Sequence, residues 1–274
     1  MSDWDKNVGV IVSEIMMMDA SSKALYWLLE GPGDIRFFSS RKREGVELIV
    51  SGGKRNVIGS IQALSTEPVC ERLLGIVDAD IDWLLPNQPR PANVITTDPR
   101  DLEGVLLRSG AYFKVLAEFA DAKKIKNFES RKGCTVLEYL RDISVFFGRI
   151  RAVNDLNKCV SLKKFKPQSF MLKGTWEYDL KSALISAVSK GVSDTVEELE
   201  KQMLLLPDVF IWNYVRGHDA VNIFAGGLIS ELGAGGGVDS GRVESVLRSG
   251  IDEAEFVETK LHKMMTEWHD SRPS

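Results

Sequence analysis

The chain has 274 residues, 44% hydrophobic and 27% charged, which suits one large core or two small ones. No apolar run approaches the roughly 18 residues a membrane span needs, the acidic amino terminus is unlike a secretory signal, and three isolated cysteines (Cys70, Cys134, Cys159) without C-x-x-C spacing argue for a cytoplasmic setting and against structural zinc or a disulfide framework. The net charge of −4 hides an asymmetry: residues 108–173 hold 15 basic and 6 acidic side chains, so the remainder carries about −13, a pattern that suggests a polyanion partner or, alternatively, a solvated helix surface.

Residues 7–18 predict an amino-terminal helix, with Met16, Met17 and Met18 as core or interface filler. Strand and helix signals then alternate. KALYWLLE (23–30) predicts a strand and DIRFFSSRKR (34–43) a helix. VELIVSGG (46–53) predicts a second strand, and KRNVIGSIQAL (54–64) a helix with Val57, Ile58, Ile61 and Leu64 on one face. RLLGIVDAD (72–80) is a third strand, apolar on both faces, and NVITTD (93–98) a fourth. PRDLEGVLL (99–107) opens the next helix, with Asp98 as cap and Pro99 at its first position. Near-continuous apolar strands separated by helices predict an α/β fold with a mostly parallel sheet covered on both faces.

From 108 to 203 the pattern turns helical and basic. VFIWNYV (209–215) predicts one more strand, RGHDAVNIF a helix start, GAGGGVDSG (233–241) a flexible loop, and the stretch from Arg242 to Asp270 a charged terminal helix. The resulting division is 1–107, a catalytic domain with its amino-terminal helix; 108–203, a helical basic region; and 204–274, a segment packing back on the first.

Ligands of parallel sheets bind beyond the carboxyl ends of the strands. Glu30 ends the first strand, Asp78 and Asp80 the third, and Asp98 the fourth. Asp82 shares the period-2 spacing of Asp78 and Asp80 if the chain stays extended. Carboxylates gathered this way repel, by roughly 4 kcal/mol per pair at about 4 Å and an effective dielectric near 20. A hard divalent cation with oxygen ligands, Mg²⁺ or Mn²⁺, is the natural remedy. Gly31 and Gly33 clear the approach. Taken singly, a D-x-D is commonly a turn, Asp34 a helix cap or first-turn acid, and Asp98 and Asp101 likewise; their order at successive strand ends carries the reading. Lys54, after the second strand, could neutralise a phosphate or be an exposed first-turn lysine. His218 could contact phosphate, brace a carboxylate, or be a loop residue before an Asp219 cap. Competing motifs fail: residues 78–89 lack the glycine and final glutamate of an EF-hand, Lys54 lacks a P-loop context, and no G-x-S-x-G is present.

The motif order Leu-Leu-Glu-Gly (28–31), Asp-Ala-Asp (78–80) and Thr-Thr-Asp-Pro-Arg-Asp-Leu-Glu-Gly (96–104) resembles the toprim nucleases of the overcoming-lysogenization-defect branch. The stretches Gly-Gly-Lys (52–54) and Arg-Gly-His-Asp (216–219) are similar to a narrower bacterial group, the toprim effectors of the PARIS phage-defence system, encoded beside an ABC-type ATPase. The resemblance implies a toprim-like fold with a largely helical basic carboxy-terminal region and a metal-dependent nuclease that is toxic until released by its ATPase partner. It implies Glu30 as general acid/base or metal ligand, Asp78 and Asp80 as metal ligands, Asp34 and Glu103 as further metal-holding acids, tRNA among plausible substrates, and a homodimer when active. Asp34 stands where several relatives have glutamate, and spacing leaves Asp98, Asp101 and Glu103 as alternatives. Lys123, Lys124, Lys126, Arg131, Lys132, Lys163, Lys164 and Lys166 are the candidate nucleic-acid contacts. The aromatics among them (Tyr112, Phe113, Phe119, Phe128, Phe146, Phe147, Phe165) could stack on bases or pack in a core. The alternatives are a haloacid-dehalogenase-like phosphatase built on Asp78 and Asp80, which leaves Glu30 unexplained, and a non-catalytic toprim binding subunit.

Overall fold

A computed structural model describes residues 6–85, 89–233, 235 and 237–271. The strands are β1 (Leu25–Leu29), β2 (Val46–Val50), β3 (Leu73–Val77) and β4 (Val94–Thr96). Among the first helices, α1 (Val8–Ser21) precedes β1, α2 (Pro32–Phe38) joins β1 to β2, α3 (Lys54–Ala63) joins β2 to β3, and α4 (Leu102–Leu107) follows β4. Next come α5 (Ala111–Phe119), α6 (Ala122–Lys132), α7 (Val136–Leu156), α8 (Leu180–Ser189) and α9 (Val196–Leu205). The chain ends with α10 (Gly217–Gly227), α11 (Ser240–Gly250), α12 (Glu253–Glu258) and α13 (Lys260–Asp270). No helix of the described residues is long and apolar enough to cross a membrane.

These elements form two compact units, residues 1–102 with 253–274, and residues 103–252. The first is an α/β unit. Its four strands are all parallel in the order β2-β1-β3-β4, with Leu28 opposite Ile49 on one side and Gly75 on the other. The strands are short and apolar because both faces are covered. Tyr26 and Leu28 point to a core shared with Ile11 and Ile15 of α1 and Val57 and Ile61 of α3. Gly75 lets that layer close down, since a Cβ there would sit 2.8 Å from Ile61 and Val57. Trp27 faces the other way, edge-on to Phe38 at 5.8 Å and against His269 at 5.6 Å, and Phe37 packs on Phe256. The last two helices therefore cover the second face of the sheet. Of the methionine run, Met17 is 75% exposed while Met18 packs on the core.

The second unit is helical. Thr135 and Glu138 form a reciprocal cap at the start of α7, each side chain accepting the other's main-chain N–H. Asp121 caps α6, which ends on Gly133 with φ 69°. The core is aromatic: Phe147, Phe165 and Phe170 cluster, Tyr112 stacks on Phe224, and Trp176, Phe128 and Tyr139 pack mutually while the Trp176 ring N–H donates to the Ile223 carbonyl at 2.8 Å. Arg151, on α7, forms a buried fork with Asp219 of α10 and also donates to the Phe165 carbonyl at 2.7 Å. Asp219 is thus a buried partner of an arginine and the cap position is Arg216.

Four expectations are corrected. Residues 209–215 are not a strand: Phe210 turns left-handed (φ 52°) and Ile211–Tyr214 form a 3-10 turn. Here α7 comes so near that any side chain at Gly148 would overlap the Tyr214 carbonyl oxygen. The single terminal helix is three, because the chain is extended at Ile251 and restarts at Thr259, whose hydroxyl accepts from the His262 N–H. The helix expected from Pro99 begins at Leu102, after a cis Asp98–Pro99 peptide bond. The segment 204–274 is divided, since only residues from 253 onward join the sheet-containing unit. The glycine-rich loop at 233–241 lies partly outside the described residues.

Asp219→Ala leaves Arg151 charged and buried without its partner, and is expected to lower unfolding stability by about 3–5 kcal/mol in urea denaturation. Arg151→Met combined with Asp219→Leu should recover much of that loss.

Candidate metal centre

In a sheet of order 2-1-3-4 the connections leave in opposite directions at the boundary between β1 and β3, and the crevice at their carboxyl ends is where α/β folds bind ligands. Glu30 follows β1 and Asp78 follows β3 at this boundary. The geometry there is built on main-chain groups. Glu30 Oε1 accepts from the Asp78 N–H at 2.8 Å, and Oε2 accepts from the Lys54 N–H at 2.9 Å. The Glu30 carbonyl accepts from the Gly53 N–H at 3.0 Å. Gly52 (φ 73°) and Gly53 (φ 120°) bend the chain after β2 so that the first N–H of α3 meets Glu30. Side chains disfavour such angles, which explains the Gly-Gly-Lys sequence.

Gly31 and Pro32 open α2, and the Asp34 carboxylate reaches back to accept the Gly31 N–H at 2.8 Å. Asp34 is therefore a first-turn acid and a neighbour of Glu30 together. Gly31 is extended (φ −148°), and a Cβ at Gly33 would meet open space, so neither glycine answers a steric demand of the protein itself.

After β3 the chain does not stay extended. Asp80 is left-handed (φ 52°), its N–H donating to the Arg100 carbonyl at 2.9 Å, and a 3-10 turn follows at Asp82–Leu84. Thr97, after β4, ties this turn down: its hydroxyl accepts from the Ala79 N–H and donates to the Arg100 carbonyl. The bend still leaves Asp80 and Asp82 on a common partner, the Lys54 ammonium, at 3.1 and 2.8 Å. Of the two readings of Lys54, a phosphate-neutralising charge or an exposed first-turn lysine, the exposed one does not hold, since its side chain is 18% exposed and its charge is engaged by two aspartates. Asp98 is exposed and lies 3.8 Å from Lys260, and Asp101 is buried.

Burial pushes the Glu30 carboxyl up to about 7; Asp80 and Asp34 act in the same direction, while the Asp78 N–H and Lys54 pull it back. Glu30, Asp34, Asp78, Asp80 and Asp82 follow β1 and β3 at one sheet edge and offer only hard oxygen donors, but no three of them bring ligand atoms within 4.8 Å of one another as Glu103, His218 and Glu244 do among the described residues. That donor set fits Mg²⁺ or Mn²⁺ better than a softer metal. A cavity of about 690 Å³ lies at the opposite, amino-terminal edge, lined by Cys70, Asn93, Met264 and Trp268. It shares no residue with the carboxylates.

Glu103 and His218 belong to the second unit, where ligand atoms of Glu103, His218 and Glu244 lie within 4.8 Å of one another. Glu244, on α11, was not anticipated; its solvent-side glutamate among charged helix residues carries no distinguishing signal. His218 Nδ1 is 3.4 Å from Glu244 Oε1, and Arg248 is 3.2 Å from Oε2. Glu244 raises the imidazole above its usual value, with help from Glu103. The cluster is therefore an ion ladder that braces a carboxylate. With the His218 side chain 62% exposed, solvent holds its worth under about 1 kcal/mol.

The nucleic-acid candidates divide. Lys124 donates to the Gly233 carbonyl, Arg131 pairs with Glu231, and Lys132 with Glu177. Lys123, Lys126, Lys163, Lys164 and Lys166 are exposed. Tyr112, Phe128, Phe147 and Phe165 are buried in the core and only Phe113 of the named aromatics is strongly exposed.

Two titrations check these environments. Glu30 holds its proton more tightly folded than unfolded, so its stabilising contribution is full below about pH 4.5 and is lost as pH rises through about 7. In metal-free buffer the wild type should lose unfolding free energy between about pH 4.5 and 7.5 that Glu30→Gln does not lose. For His218, NMR should give a midpoint above the usual imidazole value that falls in Glu244→Gln.

No family model and no curated protein matches any stretch of the chain.

Proposed function

We propose that the protein is a divalent-metal-dependent phosphodiesterase acting on nucleic acid, with its centre at Glu30, Asp34, Asp78 and Asp80. The observation that carries this is the Glu30 carboxylate, fixed by two main-chain N–H groups at the β1/β3 crevice and drawn up to about 7. A group poised there suits proton transfer near neutral pH. Glu30 takes a proton from the attacking water as its oxygen bonds to phosphorus and the ester oxygen leaves, the leaving oxygen then taking a proton from Glu30 or solvent; Asp78 and Asp80 would hold the metal beside the phosphate. A bound Mg²⁺ or Mn²⁺ would supply charge neutralisation at the phosphate and a more acidic water.

Residues 103–252 hold 21 basic and 19 acidic side chains, a net of +2, so the +9 of residues 108–173 is largely cancelled within its own unit. The exposed Lys123, Lys126, Lys163, Lys164 and Lys166 are what remains for phosphate contacts. The wider setting, a toxic effector of phage defence controlled by an ABC-type ATPase and dimeric when active, rests on the motif resemblance alone. A dehalogenase-like phosphatase leaves idle the carboxylate that the fold holds most firmly, so the nuclease reading is preferred.

Total RNA and plasmid DNA incubated with Mg²⁺ or Mn²⁺ test the proposal. Cleavage should be metal-dependent and fall by about 10²–10⁴-fold in Glu30→Ala and similarly in Asp78→Asn, and the substrate cut separates RNA from DNA. Equal cutting by wild type and Glu30→Ala would remove Glu30 from the chemistry.

A further inference from the structure

Lys54 serves the centre with both its ends. Its main-chain N–H is fixed on Glu30 Oε2. Its ammonium lies 2.8 Å from Asp82 Oδ2, 3.1 Å from Asp80 Oδ2 and 3.4 Å from the Ala79 carbonyl. An ammonium has three N–H donors, and these three oxygens can take them all. The side chain is only 18% exposed, and Arg90 adds a second positive group 3.4 Å from Asp82 Oδ2. Two carboxylates and a carbonyl around a positive charge are the oxygen ligands that a hard divalent ion takes. Asp80 would thus be shared between the ammonium and the proposed divalent ion. A divalent ion on Asp80 would stand close to the ammonium, and like charges at contact range repel.

We infer that the Lys54 ammonium is an internal counter-cation, which holds Asp80 and Asp82 together in the metal-free protein and is displaced when a divalent ion binds at Asp80. This rests on the divalent-metal reading of the Glu30–Asp78–Asp80 edge. The displaced side chain stays at that edge, because its root is tied to Glu30 through the main chain. Its charge then becomes free for an anionic oxygen. Metal binding therefore precedes, and creates, the lysine's availability to phosphate. The contact acts as a lock on the substrate side of the centre, opened by the metal.

The test is Mn²⁺ affinity by isothermal titration calorimetry, with the electron paramagnetic resonance signal of free Mn²⁺ as a second measure, and needs no turnover. Lys54→Met keeps the aliphatic stem and the main-chain N–H while removing the charge; Lys54→Arg keeps the charge; Asp78→Asn removes an expected ligand. Lys54→Met should bind Mn²⁺ about tenfold more tightly than wild type, Lys54→Arg no more tightly, and Asp78→Asn should lose binding. Without metal, Lys54→Met should melt below the wild type, and it should gain more from Mn²⁺. Unchanged or weaker binding by Lys54→Met, with wild-type binding abolished in Asp78→Asn, would overturn the displacement and leave the metal centre standing. Absence of Mn²⁺ binding from both wild type and Lys54→Met would overturn both.

Discussion

The Glu30 carboxylate accepts two main-chain N–H groups, one from the residue after β3 and one from the first residue of α3. Each bond to a charged acceptor contributes roughly 1.5–3 kcal/mol, and together they fix one carboxylate between two different strand connections. The rest of the centre depends on this pairing. It sets where the Gly52–Gly53 bend must deliver Lys54, and it fixes the start of the β3 turn that carries Asp78 and Asp80. Thr97 then secures the far side of that turn from β4. All four strand ends are tied into one edge by bonds that run through the backbone. Side chains at positions 54 and 78 can change their chemistry while the donors on Glu30 stay in place.

The second unit solves a different problem, that of a chain segment with a large positive surplus. Acids from later in the chain answer it: Glu177, Asp194, Asp208, Asp219, Glu231 and Asp252 pair with Lys132, Lys158, Arg149, Arg151, Arg131 and Lys114. Most of these pairs are partly exposed and weak individually. Arg151 and Asp219 are the exception, buried and bidentate, and they join α7 to α10 through the middle of the unit.

Much of the sheet was legible because parallel strands buried on both faces leave long apolar runs, and the helices between them begin at glycine or proline. The acids at the strand ends were legible for the same reason: each lies directly after a run that could be seen to stop. The bend at Asp80 was not, because an aspartate in a left-handed turn looks in sequence like the middle of an extended D-x-D-x-D. The reading of 209–215 as a strand followed its apolar content, but packing of Tyr214 under α7 outweighed strand preference. Charge read along a window also misled, since the partners of the basic residues lie up to 138 positions away. His218 and Glu103 were recognised as polar residues of interest, but Glu244, which completes their cluster, sits in an ordinary charged helix.

The sheet-containing unit is interrupted: α12 and α13 belong to it, yet the whole of residues 103–252 precedes them in the chain. A ribosome adds about 5–20 residues per second. Roughly ten seconds or more therefore separate the emergence of β4 from that of the helices that cover Trp27, Phe37 and Phe38. During that interval the face of the nascent sheet that carries α2 lacks α12 and α13. The unit that carries the carboxylate edge is therefore completed only after residues 103–252 have been made.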